Sequence, residues 1–159
     1  MICSDPNTVP HRISAGAFVE HEGRLLLVRH RREGKYDFWV APGGGVQGAE
    51  ELGAAAIREV KEETGLDIVV DKLVYVEEFH NPETRHCKFW FTASLVGGTL
   101  CATAPEALAE HIVAAAWHTH AEVRRLEVFP EALRAKYWDD RAQAWPRFEH
   151  LGIRKMTVW

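Results

Sequence analysis

Pro42 to Gly45 cannot comfortably continue a strand, because proline lacks an amide hydrogen and the three glycines open backbone angles closed to other residues. The chain must turn there. From Ala49 to Thr64 it is then rich in Ala, Leu, Glu, Lys and Arg, all strong helix formers, and Gly65 stands where a left-handed C-cap residue belongs. The pattern predicts one helix behind a glycine loop. On that helix Glu59, Glu62 and Glu63 stand at i, i+3 and i+4, so their carboxylates share a face, while Leu52, Ala56 and Val60 can meet a sheet. Like charges at this spacing cost roughly 0.2–0.5 kcal/mol per pair on an isolated helix, which a purely structural helix would avoid. A cation belongs beside them. Oxygen ligands with no Cys or His in the cluster suit Mg²⁺, or Mn²⁺ in its place, rather than zinc, and the glycine loop can add a backbone carbonyl. The competing reading is a solvated acidic face softened by Arg58 and Lys61.

Spacing decides between them. Gly44 is followed by five residues and Glu50, then by seven residues and Arg58-Glu59, an aliphatic residue, any residue, Glu62-Glu63, any residue, Gly65 and an aliphatic residue. This resembles the signature box of the Nudix hydrolase family, with every defining position filled. The resemblance covers residues 11 to about 140 and implies an α/β/α sandwich on a mixed sheet. It also implies an activity: family members cleave a nucleoside diphosphate linked to another group, by water attack on a pyrophosphate phosphorus. Glu59, Glu62 and Glu63 would then be metal ligands, joined by a carbonyl near Gly43 or Gly44. In some members the residue equivalent to Glu59 acts as base, and which glutamate does so here is left open. Arg58 and Glu50 lie about two turns and 12 Å apart along a helix, a distance a long arginine can span to hold the glutamates and loop in register. Family members often recruit a further carboxylate from a later loop, and Glu110, with Glu106 behind it, is the best placed. The alternative to an enzyme is a Nudix-like module that senses a nucleotide without cleaving it; the intact glutamate cluster favours the enzyme.

Composition narrows the partners. At 159 residues with 47% hydrophobic content the chain is of single-domain size, 1–159, with material for one core. No basic region precedes an apolar run at the N-terminus and no stretch approaches a membrane span, so a cytoplasmic protein with no membrane partner is expected. Cys3, Cys87 and Cys101 are odd in number and widely spaced, hence reduced. A net charge of −4 argues against general nucleic-acid binding. A polyanionic nucleotide-type substrate must therefore be held locally, by metal and by cations such as Arg31, Arg32 and Lys35 of the segment Arg29 to Lys35, which could grip phosphate or remain solvated. Pro82, about sixteen residues past the box, stands close to where a proline occurs in members resembling ADP-ribose pyrophosphatases, so the substrate reads as a nucleotide sugar such as ADP-ribose or as a nucleoside triphosphate. A homodimer is compatible with all of this.

Alternation over Ile13, Ala15, Ala17 and Val19, the Glu22-Gly23 break and Leu25 to Val28 predict a hairpin. Leu73 to Phe79 and Lys88 to Leu95, around Asn81 to Thr84, predict another. Gly97 to Pro105 reads as loop, Ile112 to Trp117 as strand, Ala121 to Leu126 as a short helix and Glu131 to Gln143 as the last helix. The tail from Trp145 carries no motif. Tyr75, Phe79, Trp90 and Phe91 read as core or as a base-stacking platform, and His80 and His86 as exposed turn residues. Strands interspersed with helices imply a mixed sheet covered on both faces.

Overall fold

The computed structural model describes residues 8–157, so Cys3 lies outside the described residues. In chain order the elements are β1 (His11–His21), β2 (Arg24–Arg32), β3 (Tyr36–Val40), β4 (Gly43–Gly45), α1 (Leu52–Thr64), β5 (Leu66–His80), β6 (Arg85–Gly98), α2 (Pro105–Ala109), β7 (Ile112–His118), α3 (His120–Val123), β8 (Val128–Phe129), α4 (Lys136–Ala142) and β9 (Glu149–Lys155), with a 3-10 turn at Glu131–Arg134. The sheet runs β8-β3-β2-β1-β6-β5-β9, with β4 on β1 and β7 on β2. Parallel pairs (β1/β6, β3/β8, β5/β9) stand beside antiparallel ones (β1/β2, β2/β3, β5/β6), so the sheet is mixed.

Both faces of the sheet are covered, and β1 shows why its sequence lacks polar alternation. Ala15, Ala17 and Val19 join Ala55, Ala56 and Val60 of α1 in one core, whereas Phe18 points into the other, among Tyr75, Trp90, Leu133 and Tyr137. In β2, Leu26 joins the α1 side and Leu25 and Leu27 the other. The second side is closed by α4, where the Tyr137 hydroxyl and Arg141 both donate to Glu20 of β1, and the Tyr75 hydroxyl donates to Asp140.

Strands β1 and β2 pair only beside their turn, at Glu20 with Leu25 and His21 with Arg24. Further along, β1 takes β4 as neighbour and β2 takes β7, and the sheet opens at the Arg12 end of β1. Among the described residues no helix is long and apolar enough to cross a membrane.

Four elements differ from the sequence reading. Helix α1 starts at Leu52 rather than Ala49, because Gln47 to Glu50 close a turn in which the Glu50 amide donates to the Gln47 carbonyl at 2.9 Å. Gly97 and Gly98 are strand, opposite Asp67 and Leu66; a side chain at Gly98 would meet the Gly65 carbonyl oxygen at 2.4 Å, so glycine here permits close strand approach. The last helix is broken at Ala135, whose φ of −146° is not helical, into the 3-10 turn and α4. The tail forms β9, parallel to β5.

Candidate active site

The site is assembled where β4 lies against β1 and faces the acidic side of α1. Glycine at position 44 leaves room for the Glu59 carboxylate, since a Cβ there would stand 2.5 Å from Glu59 Oε2 and push that side chain aside. Gly43 has φ +154°, and its Cβ would stand 2.4 Å from Gly16 Cα. This closeness lets the Gly43 amide donate to Glu63 Oε2 at 3.1 Å. Helix α1 ends on Gly65 in the left-handed region, φ +74°, its amide donating to the Lys61 carbonyl.

Arg58 ties the cluster together. Its Nε and Nη2 donate to the two oxygens of Glu50 at 2.9 and 3.0 Å, its Nη1 to Glu59 at 2.8 Å and Glu62 at 3.1 Å, and Nη2 also to the Gly45 carbonyl at 2.9 Å. Glu50 in turn accepts from the Gln47 amide at 3.1 Å. The guanidinium thus holds loop and helix in one arrangement.

Glu63 is 2% exposed, and its Oε1 is buried without a hydrogen-bond partner. Burial pushes its carboxyl well above the usual range, against the pull of Lys88, and Glu110 and Glu59 push it further. Glu59 is raised in the same sense, by burial first, with Arg58 opposing. Lys88, 6% exposed, is lowered by burial and supported by Glu63 and Glu77. Negative charge is crowded and incompletely compensated here, and an added cation would relieve it.

Glu110 is brought to this cluster, though from a stiffer position than a loop. It caps α2, its amide donating to the Glu106 carbonyl at 3.2 Å, and retains solvent access. Partial burial raises its carboxyl, with Lys88 opposing. His30, Glu63 and Glu110 each offer one ligand atom, and these lie within 4.8 Å of one another. His30 is 4% exposed, and its Nδ1 faces the Glu110 carbonyl at 3.0 Å, so that nitrogen carries the proton. Burial lowers its pKa to about 4, which keeps the ring neutral at neutral pH. The donors therefore fit a hard divalent cation: carboxylate oxygens dominate, and Glu63 Oε1 has no other partner.

A cleft of about 310 Å³ opens beside the cluster, its wall including Arg12, Tyr36, Gly43, Gly44, Phe79, His86, Lys88 and Glu110. Its cations are Arg12 and Lys88. Arg31, Arg32 and Lys35 do not line it; they sit at the exposed β2–β3 turn, where Arg31 approaches Asp37 at 3.8 Å. Of the aromatic set, Tyr75 and Trp90 are core and Phe79 reaches the cleft, stacked on His86 at 4.6 Å and 14°. His86 is a partly buried strand residue rather than an exposed turn one. The sequence reading did not single out Arg12, Tyr36, His30 and Lys88: the first three stand beside other polar residues, His30 within Arg29 to Arg32, and Lys88 at the start of an apolar strand looks like ordinary alternation. His30 continues the strand of Leu25 to Val28, all fully buried, and that continuity is the signal that it too could lie inward.

The NUDIX domain family model matches residues 10–142. Nudix hydrolase 2 of Arabidopsis thaliana is 30% identical over 115 residues, covering 70% of this chain and 40% of that protein. Diphosphoinositol polyphosphate phosphohydrolase 2 of Homo sapiens is 40% identical over 67 residues, covering 42% of this chain and 35% of that protein. The chain spans less than half the length of either relative. Among solved structures, a NUDIX hydrolase from Nitrosomonas europaea superposes with a TM-score of 0.73 at 18% identity, over 94% of this chain and 81% of that one. An ADP-ribose pyrophosphatase from Streptococcus suis does so at 0.63 and 19% identity, over 90% and 98%. These two likenesses concern the fold.

Proposed function

The chain belongs to the NUDIX domain family, and from that premise we propose that it hydrolyses a pyrophosphate bond in a nucleoside diphosphate linked to another moiety, with Mg²⁺ or Mn²⁺ as cofactor. The observation that carries this reading is the buried, unpartnered Oε1 of Glu63 among the carboxylates of Glu59 and Glu110. A module that only sensed a nucleotide would not need this concentration of buried charge.

Glu59, Glu62 and Glu63 would hold the metal, with Glu110 completing the set and a carbonyl of the Gly43–Gly45 loop beside them. The bound cation supplies charge neutralisation of the bridging phosphates and acidifies a coordinated water. The protein's own groups do the rest. Arg58 keeps Glu59 and Glu62 oriented, so their carboxylates need not reorganise during the reaction. Lys88 and Arg12 meet the phosphates from the cleft wall. Glu110, exposed and free of the Arg58 contacts that hold Glu59 and Glu62, would accept the proton of the attacking water. The His86 ring, stacked on buried Phe79, and Tyr36 offer ring faces in the cleft for a base, which suits a nucleotide sugar such as ADP-ribose or a nucleoside triphosphate.

A panel of nucleotide sugars and nucleoside triphosphates, incubated with Mg²⁺ and resolved by chromatography, tests the proposal. It expects two phosphorylated products from a nucleotide sugar; an intact panel bound with measurable affinity would instead support the sensing module.

A further inference from the structure

Strand β9 lies beyond residues 10–142, which the family model matches, yet it lays the part-buried Arg154, 27% exposed at its side chain, against the core. The Arg154 guanidinium sits between the rings of Phe79 and Phe129, 4.9 and 4.6 Å from their centroids. Its Nε stands 3.8 Å from Oε2 of Glu77, a carboxylate only 5% exposed. The other oxygen of Glu77 accepts from Trp90 Nε1 at 3.2 Å. Lys88 faces Glu77 across the β5/β6 pair, and its ammonium lies 4.4 Å from the Trp90 ring. Lys88 donates to the Gly43 carbonyl at 3.2 Å, and the Gly43 amide donates to Glu63 at 3.1 Å. Arg154, Glu77, Lys88 and Glu63 therefore alternate in sign from the sheet edge to the carboxylate cluster.

The interior end of this row is closely packed. The void bordered by Glu77, Lys88 and Arg154 is about 10 Å³, room for one water at most. Glu77 and Lys88, 5% and 6% exposed, are therefore balanced chiefly by their neighbours in the row, while Arg154 at the outer end keeps 27% of its side chain exposed beside a cleft of about 260 Å³. Lys88 has an anion on either side, Glu77 behind it and Glu63 ahead. While Arg154 engages Glu77, the ammonium can rest on Gly43 at the cleft wall. Without Arg154, Glu77 would draw Lys88 back.

We propose that Arg154 is a positioning residue for the hydrolytic site: by engaging Glu77 it keeps the Lys88 ammonium against Gly43, where it meets an anionic phosphate in the cleft. The kinetic consequence rests on the pyrophosphohydrolase reading; the position of Lys88 does not.

Arg154→Met keeps an unbranched stem between the two rings and removes the charge. Its KM should rise about tenfold or more with kcat within about threefold, and adding Glu77→Gln should return KM to within about threefold of wild type, because nothing then draws Lys88 away. Were Arg154 only packing for β9, the single variant would lose kcat through a smaller folded fraction at unchanged KM, and the double variant would be worse still. A crystal structure of Arg154→Met should show Lys88 Nζ moved from the Gly43 carbonyl toward Glu77. An ammonium still on Gly43 would overturn the proposal, and this arm decides even if wild type cleaves no nucleotide. Should Arg154→Met not fold, Arg154→Gln, polar but uncharged, carries the same expectations.

Discussion

Arg58 and Glu50 form a two-bonded fork at 2.9 and 3.0 Å that spans the turn between the glycine loop and α1. Because the same guanidinium also serves Glu59, Glu62 and the Gly45 carbonyl, it fixes where the carboxylates point. Arg58→Ala should lower kcat by about 10–100-fold, the usual loss when the support of a metal ligand is removed. It should also weaken Mn²⁺ binding in a calorimetric titration, and unchanged binding would mean the fork is structural decoration.

Glu110→Gln should lower kcat by roughly 10–10³-fold, while the thermal midpoint moves little, because its carboxylate retains solvent access. The check is steady-state kinetics beside a melting curve. Normal turnover would pass the proton-accepting role to Glu59.

Arg12 lines the cleft, whereas Arg31, Arg32 and Lys35 do not. Arg12→Ala should raise KM several-fold, and alanine at each of the other three should leave KM within about twofold of wild type. A larger KM effect from the β2–β3 turn than from Arg12 would show that substrate extends outside the cleft.

His118 links pH to stability. Burial lowers its pKa, Glu122 opposing, and its Nε2 is buried without a partner. The unfolded imidazole takes a proton near its ordinary pKa of about 6.5, while the folded one resists to lower pH. The unfolded chain then binds more protons, so stability falls as pH drops from about 6.5 toward the folded value, by at most about 1.4 kcal/mol per pH unit for one group. His118→Phe keeps a ring against Trp39, whose centroid lies 4.5 Å away, and should flatten that part of a denaturation-versus-pH curve. An identical slope in the variant would assign the effect to other histidines.

The box helix, its glutamate face and its left-handed cap were legible because periodicity, propensity and spacing all agree between Leu52 and Gly65. The two hairpins were legible for the same reason. Strand β9 was not: Gly152 interrupts Leu151 and Ile153, and only pairing with β5 makes the segment a strand. The break at Ala135 was hidden because Glu131 to Gln143 has ordinary helical propensity, and packing decided otherwise. At the site, the resemblance to a family that recruits a later carboxylate pointed to Glu110, which lies within 4.8 Å of ligand atoms of His30 and Glu63. Lys88 and Glu77 were not singled out, since a buried pair across two strands looks in sequence like ordinary polar alternation.

Metal-dependent hydrolysis is tested by turnover of a nucleotide sugar by wild type and Glu63→Gln, each with excess chelator and then with Mg²⁺ or Mn²⁺ restored. Wild type should show no turnover under chelation and recover on adding metal, and Glu63→Gln should lose about 10²-fold or more in kcat with the fold intact. Full activity in excess chelator, or a Glu63→Gln variant as fast as wild type, would contradict it.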